Sequence, residues 1–194
     1  RESVAAAAGA GRIPVIAVAG HDTASAVVAV PLSGTGSAYL SSGTWSLLGV
    51  ETLTPCVDEA SMLANLTNEG GFGNRIRLLR NVMGLWMVQE CKREWDAAGG
   101  SGTAGFDELV HRAAQSAPLA SFVDPDAQVF YAPGPMEERI REFCRATGQK
   151  VPEGQGPVVR CAYESLALKY RWAVERLEAV THARVDELVI VGGG

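Results

Sequence analysis

Short β-type runs broken by glycine turns fill the first half of the chain. Helical runs fill the second half, until a last β-branched run, Val189-Ile190-Val191, meets Gly192-Gly193-Gly194. A strand that arrives after a series of helices needs a sheet already formed to join. A glycine turn behind such a strand normally hands the chain on to a helix. Strands first, helices after, and a returning strand at the close describe a three-layer α/β domain better than a helix bundle or a sandwich. At 194 residues the chain has the length of one domain. Its 47% hydrophobic and 20% charged residues supply a core and argue against a disordered chain. Residues 1–194 read as a single domain and as a piece of a longer protein.

With 17 Lys and Arg against 22 Asp and Glu, the net charge is −5 and no basic patch stands out. Nucleic-acid binding has no electrostatic footprint here. No uninterrupted apolar run reaches the roughly 18 residues of a membrane span. The Ala-rich start, Val4 to Ala8, reads as a helix end or loop rather than a targeting signal, because it is short and runs into Arg12. Cys56, Cys91, Cys144 and Cys161 show no C-x-x-C spacing, which speaks against zinc and thioredoxin-type chemistry. Cys144 and Cys161 are spaced so that they could pair, but reduced buried thiols in a cytoplasmic protein are the simpler expectation. His21, His111 and His182 lack metal-ligand spacing, so no metal site built from histidine is expected. Trp45, Trp86, Trp95 and Trp172 are expected in the core and at helix contacts.

Along the chain, the pattern predicts a buried strand over Ile13–Ala19 and a short helix over Ala24–Val30. It then predicts a hairpin from Ser37–Ser41 and Trp45–Glu51 around Ser42-Gly43-Thr44. A strand follows over Arg75–Arg80. Helices are expected over Asn81–Trp95, Phe106–Ala117, Met136–Ala146 and Val158–Thr181, with a last strand over Asp186–Val191. Gly99–Gly105 reads as a flexible linker, and Pro118–Pro135 as irregular.

Four places carry chemistry-bearing residues. Asp22 follows a strand and a glycine. A carboxylate there is placed to act as a general base, or to cap the amides of the helix that follows, and the two roles are compatible. Ser41-Ser42-Gly43-Thr44 reads as a nest of amides and hydroxyls for phosphate oxygens or as a plain hairpin turn; no Gly-Lys-Ser/Thr follows as a Walker motif requires. Gly192-Gly193-Gly194 reads as a place for close backbone approach by a nucleotide or as a simple turn. Asn81 and Gln89 are eight residues apart, two turns of the predicted helix, and so share a face. Their amides suit a purine edge or a ribose, or else act as an N-cap and a solvated side chain.

Taken together and in order, these segments resemble one family. Val15-Ile16-Ala17-Val18-Ala19-Gly20-His21-Asp22-Thr23-Ala24-Ser25-Ala26 resembles the catalytic segment of the FGGY carbohydrate kinases. Tyr39-Leu40-Ser41-Ser42-Gly43-Thr44-Trp45-Ser46-Leu47 resembles their adenosine-phosphate hairpin, and Val191-Gly192-Gly193-Gly194 their second adenosine-binding turn. Thr67-Asn68-Glu69-Gly70-Gly71, Asn81-Val82-Met83-Gly84-Leu85-Trp86 and Gln89-Glu90-Cys91-Lys92-Arg93-Glu94-Trp95 look like the family's rhamnulokinase members rather than its xylulokinases or glycerol kinases.

The resemblance implies a ribonuclease-H-like, actin-like ATPase fold, with a mixed sheet flanked by helices. The chain would be most of the C-terminal, nucleotide-binding lobe of a two-lobe sugar kinase. The N-terminal sugar-binding lobe and the end of the C-terminal lobe would lie outside it. The resemblance also implies transfer of the γ-phosphoryl of ATP, with Mg²⁺, to the 1-hydroxyl of L-rhamnulose. Another ketose such as L-fuculose or D-xylulose is one alternative, and a non-catalytic nucleotide-binding lobe is another. By resemblance the base is Asp22, with His21 and Thr23 beside the sugar; the nucleotide contacts are Thr44, Asn81, Gln89, Gly193 and Gly194.

Overall fold

In the computed structural model, which describes residues 2–9, 11, 14, 20, 22–32, 34, 36–99 and 104–193, a five-stranded sheet carries helices on both faces. The elements run α1 (Glu2–Ala7), α2 (Asp22–Ala29), β1 (Ser37–Ser42), β2 (Trp45–Thr52), α3 (Glu59–Leu63), β3 (Thr67–Gly70) and β4 (Ile76–Met83). They continue through α4 (Trp86–Ala97), α5 (Phe106–Gln115), α6 (Met136–Ala146), α7 (Gln155–Thr181) and β5 (Glu187–Gly192). The predicted strand over residues 13–19 lies, apart from residue 14, outside the described residues.

The strand order is β3-β4-β2-β1-β5. β1 and β2 form the predicted hairpin, β4 pairs antiparallel with β2, and β5 returns parallel to β1. A parallel return requires a crossover between the two strands, and the helical half of the chain supplies it. Side chains alternate between faces along a strand, and the packing follows that period. Leu40, Leu48, Val50 and Leu78 meet Ala173, Leu177 and Val180 of α7 on one face. Tyr39, Leu79 and, at the margin, Leu47 meet Val27 of α2 on the other. The largest cluster lies among α4, α5, α6 and α7, where Met136, Ile140 and Cys144 recur at helical spacing on α6.

Two expectations are corrected. The helix predicted over Asn81–Trp95 begins only at Trp86, because Asn81, Val82 and Met83 complete the ladder of β4 against Leu47, Ser46 and Trp45. The long helix begins at Gln155, ahead of Pro157 rather than behind it. Proline is tolerated in a first turn, where its missing N–H would have no intrahelical partner. Met136–Ala146 is found as predicted.

Candidate active site

The hairpin tip between β1 and β2 is fastened to the start of α4. The carbonyl of Gly43 accepts the amide of Leu85 at 2.9 Å, and the carbonyl of Thr44 accepts those of Gly84 at 3.1 Å and Trp86 at 3.2 Å. The first amides of a helix have no intrahelical acceptor. Leu85, at the N-cap position of α4, provides no side-chain bond, so the hairpin tip takes over the capping. The approach is close enough that a Cβ on Gly84 would stand 2.5 Å from the Gly43 carbonyl oxygen and 2.6 Å from Ser46 Oγ. One turn into α4, Gln89 Oε1 accepts the hydroxyl of Thr44 at 3.0 Å. With its oxygen engaged by Thr44, the Gln89 amide keeps its nitrogen, a two-proton donor, for other partners. Below the tip, Ser46 Oγ and Tyr170 Oη lie 2.6 Å apart and tie β2 to α7.

The end of β5 comes to the same place. β1 and β5 are parallel, and their register closes on Ser42 opposite Gly192. The Ser42-Gly43-Thr44 turn and the Gly192-Gly193 turn therefore both lie at strand carboxyl ends, where open α/β sheets bind ligands. Gly192 has φ of 109°, and a Cβ there would stand 2.2 Å from the Ser42 carbonyl oxygen. Only glycine fits that position. Gly193 is exposed, and a Cβ on it would meet nothing within 4 Å. The sequence suggested Gly193 and Gly194 as the pair of interest. Gly194 lies outside the described residues, and Gly192 is the glycine that the packing demands.

Asp22 opens α2 and is exposed; its Oδ1 accepts the amide of Thr23 at 2.7 Å. The carboxylate thus bonds the amide of the residue next to it, a nearer contact than the two- or three-residue reach of an N-cap. Its surface position leaves the base reading open. His21 lies outside the described residues. Thr23 is half-buried beside Asp22.

Asn81 departs from expectation. It is exposed on β4, two residues from Leu79, so it belongs to the sheet face that α2 covers. It does not share a helix face with Gln89, and the bond that joins Thr44 to Gln89 does not include it. The helical spacing of Val82, Leu85, Trp86 and Gln89 bridges a strand end, a glycine and a helix start.

Acidic side chains on α4 hold the 131–136 segment. Glu90 accepts from Arg93 and, at 3.3 Å, from the amide of Gly134; Glu94 accepts the amide of Met136, the first residue of α6. The Arg93 bond, helped by the Gly134 amide against the effect of burial, holds the Glu90 carboxyl below the usual carboxylate range. Trp86 Nε1 donates to the Phe130 carbonyl at 3.0 Å, and Trp95 Nε1 to Glu137 at 2.5 Å. Trp86 and Trp95 pack against the largest cluster and Trp172 against the α7 face of the sheet, as expected. Trp45 does not: it is 51% exposed and meets Tyr131 edge-on, with ring centroids 6.5 Å apart.

The four cysteines are free thiols. Cys144 and Cys161 are buried, and burial pushes the Cys161 thiol up to about 12. Among the described residues, no three His, Cys, Asp or Glu side chains gather as a metal cage, and no helix is long and apolar enough to cross a membrane.

Comparison with known proteins agrees with this geometry. A rhamnulokinase from Bacteroides thetaiotaomicron is 48% identical over 193 residues, covering 100% of this chain and 39% of its own length. One from Mannheimia succiniciproducens is 43% identical over 94% of this chain and 37% of its own length. One from Bacillus subtilis is 40% identical over 93% and 36%. The chain thus spans little more than a third of these curated relatives. Among solved structures, a xyloylose kinase from Brucella ovis superposes with a TM-score of 0.65 at 15% identity, over 100% of this chain and 38% of its own. A xylulose kinase from Rhodospirillum rubrum does so with a TM-score of 0.59 at 18% identity, over 84% and 31%. At such identities the likeness concerns the fold alone, and the fold has the expected make: a mixed sheet flanked by helices. The sequence model "FGGY family of carbohydrate kinases, C-terminal domain" matches residues 38–194, from β1 through the glycine turn behind β5. Fold, hairpin and glycine turn agree with that match, and the chain belongs to the FGGY family of carbohydrate kinases.

Proposed function

We propose that this chain is the nucleotide-binding part of a kinase that transfers the γ-phosphoryl of ATP to the 1-hydroxyl of L-rhamnulose. One observation carries the reading: Thr44, Gln89 and the Gly192-Gly193 turn meet at the carboxyl ends of β1 and β5. A hydroxyl, a side-chain amide and bare backbone gathered there suit a nucleotide and its phosphates. The choice of sugar draws support from the rhamnulokinases that match nearly the whole chain.

In this reading Asp22 accepts the proton of the attacking hydroxyl, with His21 and Thr23 beside the sugar. Thr44, Gln89, Gly193 and Gly194 hold the nucleotide. Asn81 shares the sheet face of α2 and belongs with the sugar side rather than with Gln89. Mg²⁺ commonly reaches such sites on the phosphates of ATP, supported by one or two carboxylates. Among the described residues no three acidic or other ligating side chains gather, so the ion would be held chiefly by the phosphates of ATP, leaving Asp22 to act as the base. When bound, the ion neutralises charge on the transferring group. Positioning and a base are then what the chain itself contributes.

The test is ADP production by the full-length polypeptide with Mg·ATP and a panel of ketoses. L-Rhamnulose is expected to be preferred, and Asp22→Asn to lower kcat by about 10²–10⁴-fold, the usual worth of a general base. A preference for D-xylulose or L-fuculose moves the substrate and keeps the base. Near-normal turnover by Asp22→Asn removes Asp22 from its role, and no turnover with any ketose overturns the kinase reading.

A further inference from the structure

We propose that Trp45, propped by Tyr131, is a sugar-contact residue that covers the apolar end of the ketose. The proposal rests on the kinase reading above and adds to it the group that recognises the deoxy carbon.

The two rings form an exposed aromatic surface on fixed supports. Trp45 is 51% exposed and Tyr131 49%, and they meet at 68°. A single exposed aromatic is unremarkable on a protein surface. Two of them stacked edge to face beside a ligand site are a different matter, because Trp and Tyr offer wide apolar area with little rotamer freedom to lose. Trp45 begins β2 and is held in register opposite Met83 of β4. Tyr131 follows Phe130, whose ring is fully buried and whose carbonyl accepts the Trp86 indole. The segment beyond Tyr131 is held by Glu90 and Glu94 at the amides of Gly134 and Met136.

The direction of Trp45 selects its ligand. Successive residues on a strand face opposite sides. Ser46 turns toward Tyr170 of α7, and Leu47 packs with Val27 of α2. Trp45 therefore shares the face of Leu47, Asn81 and α2. In the register, Asn81 is opposite Leu47 and Met83 opposite Trp45, so Asn81 and Trp45 are diagonal neighbours, a spacing of about 7–8 Å. Thr44, one residue earlier, bonds instead to Gln89 on α4. On the strand the indole thus shares the face of Asn81, the residue assigned to the sugar, while its ring partner Tyr131 belongs to a segment fastened to α4.

The chemistry of the substrate supplies the remaining step. L-Rhamnulose is a 6-deoxy ketose and carries a methyl group where most hexuloses carry a hydroxyl. His21, Asp22, Thr23 and Asn81 are all polar and can satisfy hydroxyls, and of the four only Thr23 carries a methyl group to set against the deoxy carbon. Sites for such ligands combine a few polar groups with aromatic walls. Trp45 and Tyr131 are the aromatic wall on this face.

The experiment compares full-length wild type with Trp45→Leu, Trp45→Phe and Tyr131→Leu. It measures kcat and KM for L-rhamnulose, for its 6-hydroxy counterpart and for ATP. Trp45→Leu is expected to raise the L-rhamnulose KM by about 5–30-fold, the worth of one apolar group in a pocket. The ATP KM should stay within about twofold of wild type, and the preference for the deoxy sugar should shrink. Trp45→Phe should recover most of the loss, and Tyr131→Leu should shift the same constant less. An unchanged sugar KM overturns the proposal, as does a rise in the ATP KM instead, which would assign the rings to the purine. A lowered urea midpoint with both KM values unchanged also overturns it, because the rings would then be covered by protein. Wild type that phosphorylates no ketose defeats the kinase reading itself. Active wild type with an indifferent Trp45→Leu defeats only this inference.

Discussion

Replacing Gly192 by alanine tests the geometry at the end of β5. Two penalties arise if the backbone stays in place. Its φ of 109° is a conformation that L residues rarely adopt, with a strain of about 1–3 kcal/mol. The new Cβ would stand 2.2 Å from the carbonyl oxygen of Ser42, 3.1 Å from its carbon and 3.2 Å from its nitrogen. All three atoms are backbone, so no side chain can swing away, and overpacking of that kind adds about 1–3 kcal/mol. Together they exceed the roughly 1 kcal/mol of a ladder hydrogen bond at a strand end. The cheaper response wins: the Ser42–Gly192 end of the ladder opens and the glycine turn moves off the hairpin tip. Gly192→Ala should therefore lower unfolding free energy in urea by about 1–2 kcal/mol while raising the KM for ATP sharply. Gly193→Ala is the control, since a Cβ there meets nothing within 4 Å and its φ lies outside the left-handed range. It should leave stability level or improve it by up to about 1 kcal/mol. If the Gly192 variant matches wild type in both stability and ATP KM, or if the Gly193 variant loses as much stability, the steric reasoning is wrong.

Two more perturbations probe the supports of the site. Gly84→Ala would drive a Cβ to 2.5 Å from the Gly43 carbonyl oxygen and prise the hairpin tip from α4. A loss of about 2–4 kcal/mol in urea unfolding is expected, and a change below about 0.5 kcal/mol would refute the clamp. Asp126 receives Arg80 at 2.7 Å and Lys169 at 2.9 Å. Burial alone would raise its carboxyl, but these two cations hold it below the usual carboxylate range. A depressed folded pKa gives stability that is complete above the unfolded value, about 3.9, and that fades as pH falls through the folded one. Asp126→Asn should therefore destabilise at neutral pH by about 3 kcal/mol. The gap to wild type should narrow as the pH drops below about 4, and a gap that stays constant over that range would exclude the linkage.

What could be read from the sequence depended on whether a local pattern had a local cause. The β1–β2 hairpin was legible because two β-type runs flank Ser42-Gly43-Thr44, and α6 because Met136, Ile140 and Cys144 repeat every fourth residue. Asn81 was misread because the decision is non-local. Residues 77–80 are buried on both faces, so β4 shows no alternation, and only its pairing with β2 carries the strand on to Met83. β3 has four residues at the sheet edge, none of them apolar except by glycine's neutrality, and left no pattern to find. α3 did leave one: Asp58 accepts the amide of Ser61 at 2.7 Å, a cap whose signal stands in Asp58-Glu59-Ala60-Ser61. Among three consecutive glycines, the sequence alone treats all as equal. The register of β5 on β1 is what singles out Gly192.

On the proposed reading one short turn serves two ligands, the nucleotide at Thr44 and the sugar at Trp45. Thr44, in the turn, bonds toward α4, whereas Trp45, the first residue of β2, takes the sheet face of Leu47 and Asn81, so ligands at the two positions would approach from different directions. They can meet only past the end of the sheet, where no strand separates them. That end is where β1 and β5 both stop, and where α4 is capped by the same tip. A shift of the tip would move Thr44 and Trp45 together, so groups bound on the two sides would keep their relation to each other. In-line transfer between two bound groups has that requirement, because its rate depends on their mutual alignment more than on the tightness with which either is held.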